Sequence, residues 1–386
     1  MRRAGDAPLD AARALAPRLR AAAPDTERAR RLPPDLVAAM AEAGLFRLCV
    51  PAAVGGGEVD ATTLVAVLEE LGRADGAAGW CAMIAATSGV VAAYLPRAVA
   101  ETIYGPAAAI TGGVFAPSGT AVAVDGGYRV SGRWAFASGC QHCTWLMGGC
   151  VILDRGEPRL LPGGMPDARM MLFPASAATI VDTWTVAGLC GTGSHDIAVT
   201  DVVVPADHAV SLVSDVPVAT GTLYRFPVFG LLALGIAGVA LGIARAALDE
   251  LAALAGAKTP AGGRRLLRDR PAIQAQVAEA EATLGAARAF VFEVVGAATR
   301  AAEAGALTLD TRARVRLAAT HAVASAAHAV DVAYAAGGGT AVYATSPLQR
   351  CFRDVHVVTQ HMMVAPPTLE LAGRVLLGVE TDTAML

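Results

Sequence analysis

The residues of this chain able to do chemistry are few, and their spacing excludes most of what their types suggest. Cys140-Gln141-His142-Cys143 offers two thiols and an imidazole, but a structural zinc site needs four ligands and no second pair follows. A redox Cys-x-x-Cys belongs at a helix start, whereas this segment reads as β-structure. The thiols are expected in core or loop positions, and no metal is expected. Ser194-His195-Asp196 names a hydrolase triad, yet neighbours along a strand point to opposite faces and cannot converge. Gly191-Thr192-Gly193 precedes a strand rather than a helix, so it is no dinucleotide loop. His321 and His328, with Asp331, share one face of a predicted helix, but seven residues separate the imidazoles, and helix packing explains them better than a metal. What remains is hydroxyl and imidazole chemistry: Ser138, at the end of Val130-Ser131-Gly132-Arg133-Trp134-Ala135-Phe136-Ala137-Ser138-Gly139, and His361 or His356 near the other end of the chain. An imidazole titrates near neutral pH and can move a proton. On one helix those two histidines would stand about 140° apart, so only one can serve a given site.

The elements that must position these groups fall into three stretches. Residues 1–110 read as an N-terminal helical domain: Pro33-Pro34-Asp35 opens a helix with Leu36, Met40 and Leu45 on one stripe, and Leu64, Val67, Leu68 and Leu71 form another. Residues 111–212 read as a central β domain, with a hairpin turn at Asp125-Gly126-Gly127, alternation over Val181–Val186 and a strand over Asp196–Val204. Residues 213–386 read as a helical bundle with long helices over 231–254, 272–304 and 307–334 and a last one from Arg353 that carries both His356 and His361. The fold class is α+β, mostly α.

Composition narrows the partners. The 386 residues carry 31 Lys+Arg and 34 Asp+Glu, a net charge of −3, with basic residues scattered, which excludes nucleic acid as the main partner. An odd seven cysteines without framework spacing fits a reducing, cytoplasmic compartment, and the N-terminus lacks the apolar run of a signal peptide. Two uncharged stretches, 76–95 and 226–244, have the length of a membrane span. They are rich in Gly and Ala rather than Leu, so close-packed core helices are expected and no membrane partner.

The order helical, β, helical, with the 130–139 segment, Gly188-Leu189-Cys190-Gly191-Thr192-Gly193-Ser194-His195-Asp196 leading to Asp201-Val202-Val203-Val204-Pro205, Ala246-Ala247-Leu248-Asp249-Glu250, and Gly-Gly followed by Pro347-Leu348 and Arg353-Asp354, resembles the acyl-CoA dehydrogenase superfamily over essentially the whole chain. The resemblance implies a central β-barrel between the two helical domains. Where a dehydrogenase places its catalytic glutamate this chain has Met362, and no Asp or Glu lies between Asp215 and Asp249 to replace it. A thioether takes no proton. The chain is therefore more similar to the two-component (group D) flavin-dependent monooxygenases, which work through a C4a-hydroperoxyflavin.

That resemblance implies reduced FAD or FMN as cofactor, O2 as co-substrate, a separate NAD(P)H-dependent flavin reductase as partner, a small aromatic or amine substrate and a homotetramer. It implies Ser138 at flavin N5 and His361 as the base that deprotonates substrate. Phe115, Trp134, Phe136 and Ala137 would border the flavin, and His142 and Met362 the substrate. The dehydrogenase Arg-x-x-Phe-Gly contact to the flavin pyrophosphate is absent, its region reading Pro260-Ala261-Gly262-Gly263-Arg264-Arg265. The rival readings are an acyl-thioester dehydrogenase or oxidase with another base, and a non-catalytic relative that has lost flavin.

Overall fold

A computed structural model describes residues 6–386. The chain opens with five helices: α1 (Asp6–Ala29), α2 (Pro34–Glu42), α3 (Ala61–Ala74), α4 (Gly76–Ser88) and α5 (Arg97–Tyr104). Local signals start them. Pro34 occupies the first turn of α2, and the Asp60 and Asp75 carboxylates accept from Thr63 N (2.9 Å) and Ala78 N (2.7 Å) to cap α3 and α4. α4 is apolar and buried almost all round, as a helix with no solvent face must be.

The middle of the chain folds into β1 (Thr111–Val124), β2 (Gly127–Trp134), β3 (Trp145–Asp154), β4 (Glu157–Pro158), β5 (Ala168–Pro174), β6 (Thr179–Val181), β7 (Asp196–Pro205) and β8 (Ala209–Val210). The expected hairpin is present: β1 and β2 pair antiparallel out to Val124↔Gly127, with Gly126 at φ 77°. β1 also pairs in parallel with β3.

Two expectations fail here. The sheet is open, in the order β6-β7-β2-β1-β3-β5-β8 with β4 beside β3, rather than a barrel. Its edge strands β6 and β8 are only three and two residues long and pair with β7 and β5 respectively, not with each other. The alternating segment Val181–Val186 continues as a strand only to Val181. Beyond it the Thr183 and Trp184 N–H groups donate to His195 Nδ1 (3.3 and 3.2 Å), which takes them from the ladder.

The bundle comprises α6 (Val228–Ala257), α7 (Pro271–Glu303), α8 (Leu309–Gly337), α9 (Pro347–Val358) and α10 (Pro367–Leu376). The Gly-rich pattern of α6 has a packing cause. A Cβ on Gly242 would lie 2.1 Å from Glu69 O, and one on Gly72 would lie 2.6 Å from Val239 O, so α3 and α6 touch backbone to backbone. This contact joins the N-terminal helices and the bundle into one core. Among the described residues three helical segments are long and apolar enough to cross a membrane by length and composition. Gly76–Tyr94 and Val228–Ala257 have 89% and 83% of their apolar windows buried within the chain, as the core-helix reading expects; Pro271–Glu303 has only 33%.

Candidate active site

Ser138 follows the end of β2, in a turn made by two left-handed residues, Phe136 (φ 66°) and Gly139 (φ 70°). The turn is anchored on both sides of the serine: Ala137 N donates to His195 O (3.0 Å) and Gly139 N to Thr192 O (2.8 Å). Ser138 is 6% exposed, and its hydroxyl has two polar neighbours, Trp80 Nε1 at 3.0 Å and Ser194 Oγ at 2.7 Å. Ser194 Oγ in turn lies 2.7 Å from Thr192 Oγ1, which donates to Leu189 O at 2.8 Å. Ser194 thus belongs to the Ser138 hydroxyl system and not to a triad. His195 is turned the other way, its Nδ1 occupied by two backbone N–H groups, and burial lowers its pKa. Both residues precede β7 rather than lying within it.

His361 arrives from the bundle. It is not on a helix, because α9 ends at Val358 and His361 lies in the turn before α10, its N–H donating to Val358 O (3.1 Å). Its ring packs edge-on against Trp80, with centroids 5.7 Å apart and planes at 61°. Trp80 of α4 therefore connects the two groups: its N–H goes to Ser138 and its ring meets His361. Neither composition nor the resemblance pointed to Trp80. A signal did exist, since it is the sole aromatic residue in the Gly/Ala-rich α4 and a buried indole N–H needs an acceptor.

The electrostatics make His361 neutral. Burial, reinforced by the Arg316 guanidinium, pushes its pKa down to about 4. Arg316 of α8 is itself buried, and burial lowers its pKa to about 10. It donates to Met363 O (3.0 Å) and to Met385 O, holding the turn that carries His361. Within that turn Met363 N donates to His361 Nδ1 at 3.2 Å. A ring that accepts at Nδ1 carries its proton on Nε2 when neutral. In this conformation His361 presents a donor, which alters the expected role: accepting a substrate proton at Nε2 would first require a change of tautomer that sets two N–H groups against each other.

The other expected site residues divide. Phe136 is 70% exposed, edge-on to Trp184, and Ala137 is buried directly beside Ser138. Phe115 lies in a bulge of β1, between the Val114↔Gly148 and Gly119↔Cys150 pairs, and packs on Phe229 of α6 (centroids 5.2 Å), tying sheet to bundle. His142 packs on Phe46, and burial lowers its pKa to about 4. Met362 is 67% exposed.

Trp134 lies in the sheet core. It is 0% exposed, its N–H donates to Gly149 O (2.7 Å), and its ring lies against Gly119, Gly132 and Gly148, where an added Cβ would come within 2.3–2.7 Å of it. The second imidazole, His356, is engaged elsewhere. His356 Nε2 lies 2.8 Å from Asp331 Oδ1, while buried Asp354 accepts from Leu189 N (2.5 Å). His321 and His328 are exposed on α8, and His321 sets its ring edge-on against Phe290 of α7 (centroids 6.2 Å), the helix packing expected of it. Among the described residues no group of three His, Cys, Asp or Glu side chains is arranged to hold a metal.

Comparison with known proteins identifies the family. The acyl-CoA dehydrogenase N-terminal domain family matches residues 8–101, and the acyl-CoA dehydrogenase C-terminal domain family matches residues 234–366. The indole-3-acetate monooxygenase of Pseudomonas putida is 36% identical over 355 residues, covering 91% of this chain and 89% of the relative. The oxygenase component of the FADH(2)-dependent resorcinol hydroxylase of Rhizobium sp. (strain MTP-10005) is 30% identical, covering 94% of this chain and 91% of the relative. Among solved structures, the 3-HSA hydroxylase from Rhodococcus sp. RHA1 superposes with a TM-score of 0.90 at 28% identity, covering 98% of this chain and 99% of the other. XiaF from Streptomyces sp., in complex with FADH2 and glycerol, gives 0.90 at 26%, covering 97% and 96%.

The chain belongs to the acyl-CoA dehydrogenase family. Within it, it stands with the flavin-dependent monooxygenases, and it is an oxidoreductase of that kind.

Proposed function

We propose that this chain is the oxygenase component of a two-component monooxygenase, taking reduced FAD or FMN from a separate NAD(P)H-dependent flavin reductase and hydroxylating a small aromatic substrate. One observation carries the reading: Trp80 brings Ser138, from the end of β2, and His361, from the bundle, to the two sides of one indole. The surrounding chemistry fits a flavin. Phe136 offers an exposed aromatic face two residues from Ser138, which is itself 6% exposed. The related proteins support the substrate class, since two are named for indole-3-acetate and resorcinol.

When bound, the reduced flavin would activate dioxygen and supply one oxygen atom to the substrate. The protein's part is to bind, orient and keep the site dry. Ser138 would meet the flavin at N5, with Phe136 and Ala137 beside the ring. Neutral His361 would donate its Nε2 proton in a hydrogen bond to a phenolic or similar oxygen and fix the orientation of the substrate ring. His142 and Met362 would line the substrate side, and Phe115 the junction of sheet and bundle.

Two further features belong to this reading. The exposed residues Ala275, Ala278, Ala282, Gly285, Ala286 and Ala289 recur along one side of α7, whose apolar window is mostly outside the chain's own core. Such a face suits packing against a second copy, in keeping with a homotetramer, and sedimentation velocity reads the assembly directly. Seven free cysteines suit a cytoplasmic setting.

The decisive test mixes the protein with anaerobically reduced FAD or FMN, then with oxygen and a panel of phenols and indoles. Oxygenated product formed in step with flavin oxidation supports the proposal. Reoxidation at the free-flavin rate, with peroxide alone as product, would falsify it.

A further inference from the structure

The hydroxyl system behind Ser138 has one direction that puts a proton in each of its close oxygen–oxygen contacts, Thr192 joining Trp184 Nε1 and Thr192 N as donors to Leu189 O. The Thr192 hydroxyl has a single proton, and its contact with Leu189 O uses it, because a carbonyl only accepts. At the 2.7 Å contact between Thr192 and Ser194, Ser194 must therefore donate. Ser194 has then spent its proton, so at its 2.7 Å contact with Ser138 the donor must be Ser138. An indole N–H is a donor only, so the Trp80 contact fills one acceptor position on Ser138 Oγ. The hydrogen bonds run Ser138 to Ser194 to Thr192 to Leu189 O. Ser138 is left with no proton to offer and one lone pair free.

Flavin N5 changes polarity with oxidation state. It bears a hydrogen and donates when the flavin is reduced, and it only accepts when the flavin is oxidised. We infer that Ser194 and Thr192 are positioning residues that lock Ser138 as an acceptor, so that the protein selects reduced over oxidised flavin by hydrogen-bond polarity at N5. The inference rests on the reading that places Ser138 at N5, and it adds a cause for redox-state selection that resides in two residues remote from the flavin. Facing oxidised N5, an acceptor-only Ser138 sets lone pair against lone pair and leaves both without a hydrogen bond, the costly arrangement in a dry site. Trp80 reinforces the lock, since its N–H removes the other lone pair and leaves Ser138 one orientation.

The test compares the dissociation constants of oxidised and anaerobically reduced FAD and FMN for the parent protein, Ser138→Ala, Ser194→Ala and Thr192→Val. Ser194→Ala frees the Ser138 proton to turn outward. Thr192→Val leaves Ser194 with no acceptor but Ser138, which reverses the chain. Each is expected to cut the preference for reduced flavin roughly fivefold, the worth of one neutral hydrogen bond, chiefly by tightening the oxidised form. The 15N resonance of N5 in bound oxidised flavin should move in the direction of hydrogen bonding in both variants. A change in packing alone would weaken both redox forms together and leave that resonance in place.

The two variants perturb different buried residues, so a folding failure in one leaves the other to decide, with circular dichroism confirming which is intact. If Ser138→Ala abolishes the preference while Ser194→Ala and Thr192→Val preserve it, the polarity lock is wrong and the placement of Ser138 stands. If Ser138→Ala leaves both dissociation constants unchanged, Ser138 does not meet N5, and the placement falls together with the inference.

Discussion

The two halves of the site are held by different physics. On the sheet side Ser138 sits in a turn whose backbone is bonded before and after it, and its side chain continues through two more hydroxyls to a carbonyl. Nearby, the Trp134 ring fills the space above three glycines and fixes the end of β2. On the bundle side His361 lies in a turn between α9 and α10 whose backbone is also bonded, His361 N to Val358 O and Val364 N to His361 O, but its ring has one hydrogen bond, from Met363 N, and the turn is braced by one buried arginine. The Ser138 side chain is over-determined by two polar partners, whereas the His361 ring is suspended from one hydrogen bond and one ring contact. This division suits a reaction in which the cofactor must be met with one polarity while the substrate enters and leaves.

The largest effect should come from cutting the suspended half alone. His361→Ala is expected to lower substrate oxygenation by roughly a hundredfold, the cost of losing a group that orients the substrate. Reduced-flavin affinity should change little and peroxide release should rise. Parallel assays of product, peroxide and flavin binding check this, and normal turnover removes His361 from the site. The pH dependence sharpens the same point. With its pKa pushed down to about 4, His361 is already neutral at pH 6, so no inflection near 6.5 should appear in the rate of product formation.

Next in size is the joint between the halves. Asp354 of α9 accepts from Leu189 N, at the root of the hydroxyl chain, and burial beside Asp75 raises its pKa to about 7, against the opposing pull of Arg350 and Arg353. A raised acid means that the folded state binds this proton more tightly than the unfolded state does. Its contribution to stability is therefore greatest below about pH 4 and is lost as pH rises to about 7. Asp354→Asn removes that slope while keeping an acceptor for Leu189. The variant should gain on the parent, on the order of a few kcal/mol, between pH 5 and pH 8. Thermal melting across that range checks it, and equal slopes in the two proteins refute the assignment.

How much of this was legible in the sequence varies with the range of the cause. The long helices announced themselves by periodicity, and the Asp125-Gly126 turn by local backbone preference, both of which act over a few residues. Ser138 and His361 were legible as a resemblance, carried by the motifs around them. The open sheet was not, because whether β6 and β8 meet depends on partners far along the chain. The break at Val181 was hidden for the same reason, since His195 competes for the backbone from a distance. The side Trp134 faces was not legible, because a motif position shows that an aromatic is needed there, not which way its ring faces. Trp80 and the direction of the hydroxyl chain required three segments to be brought together in space.

The rigid half can be tested by filling the room Trp134 uses. A Cβ on Gly148 would come 2.5 Å from that ring, so Gly148→Ala must displace the indole or the strand. Overpacking of this kind costs about 1–3 kcal/mol, and here it should also degrade flavin discrimination, because β2 carries the Ser138 turn. Denaturant unfolding measures the first effect and the ratio of oxidised to reduced flavin affinity the second. A stability loss with discrimination intact would mean that the hydroxyl chain is held by its own bonds rather than by the sheet beneath it.

The smallest expected effect bears most directly on how the halves communicate. Trp80→Phe keeps an aromatic ring against His361 but deletes the N–H that reaches Ser138. Ser138 then regains a free lone pair without regaining its proton, which is still committed to Ser194. Reduced-flavin preference should thus persist, weakened by no more than about fivefold, the worth of a single neutral hydrogen bond. Substrate turnover should change little, because the ring contact that steadies His361 remains. Trp80→Leu removes both contacts and should lower turnover further without a larger shift in flavin preference. If Phe and Leu at this position behave alike in turnover, the indole serves Ser138 alone, and the two halves of the site are adjacent without being coupled.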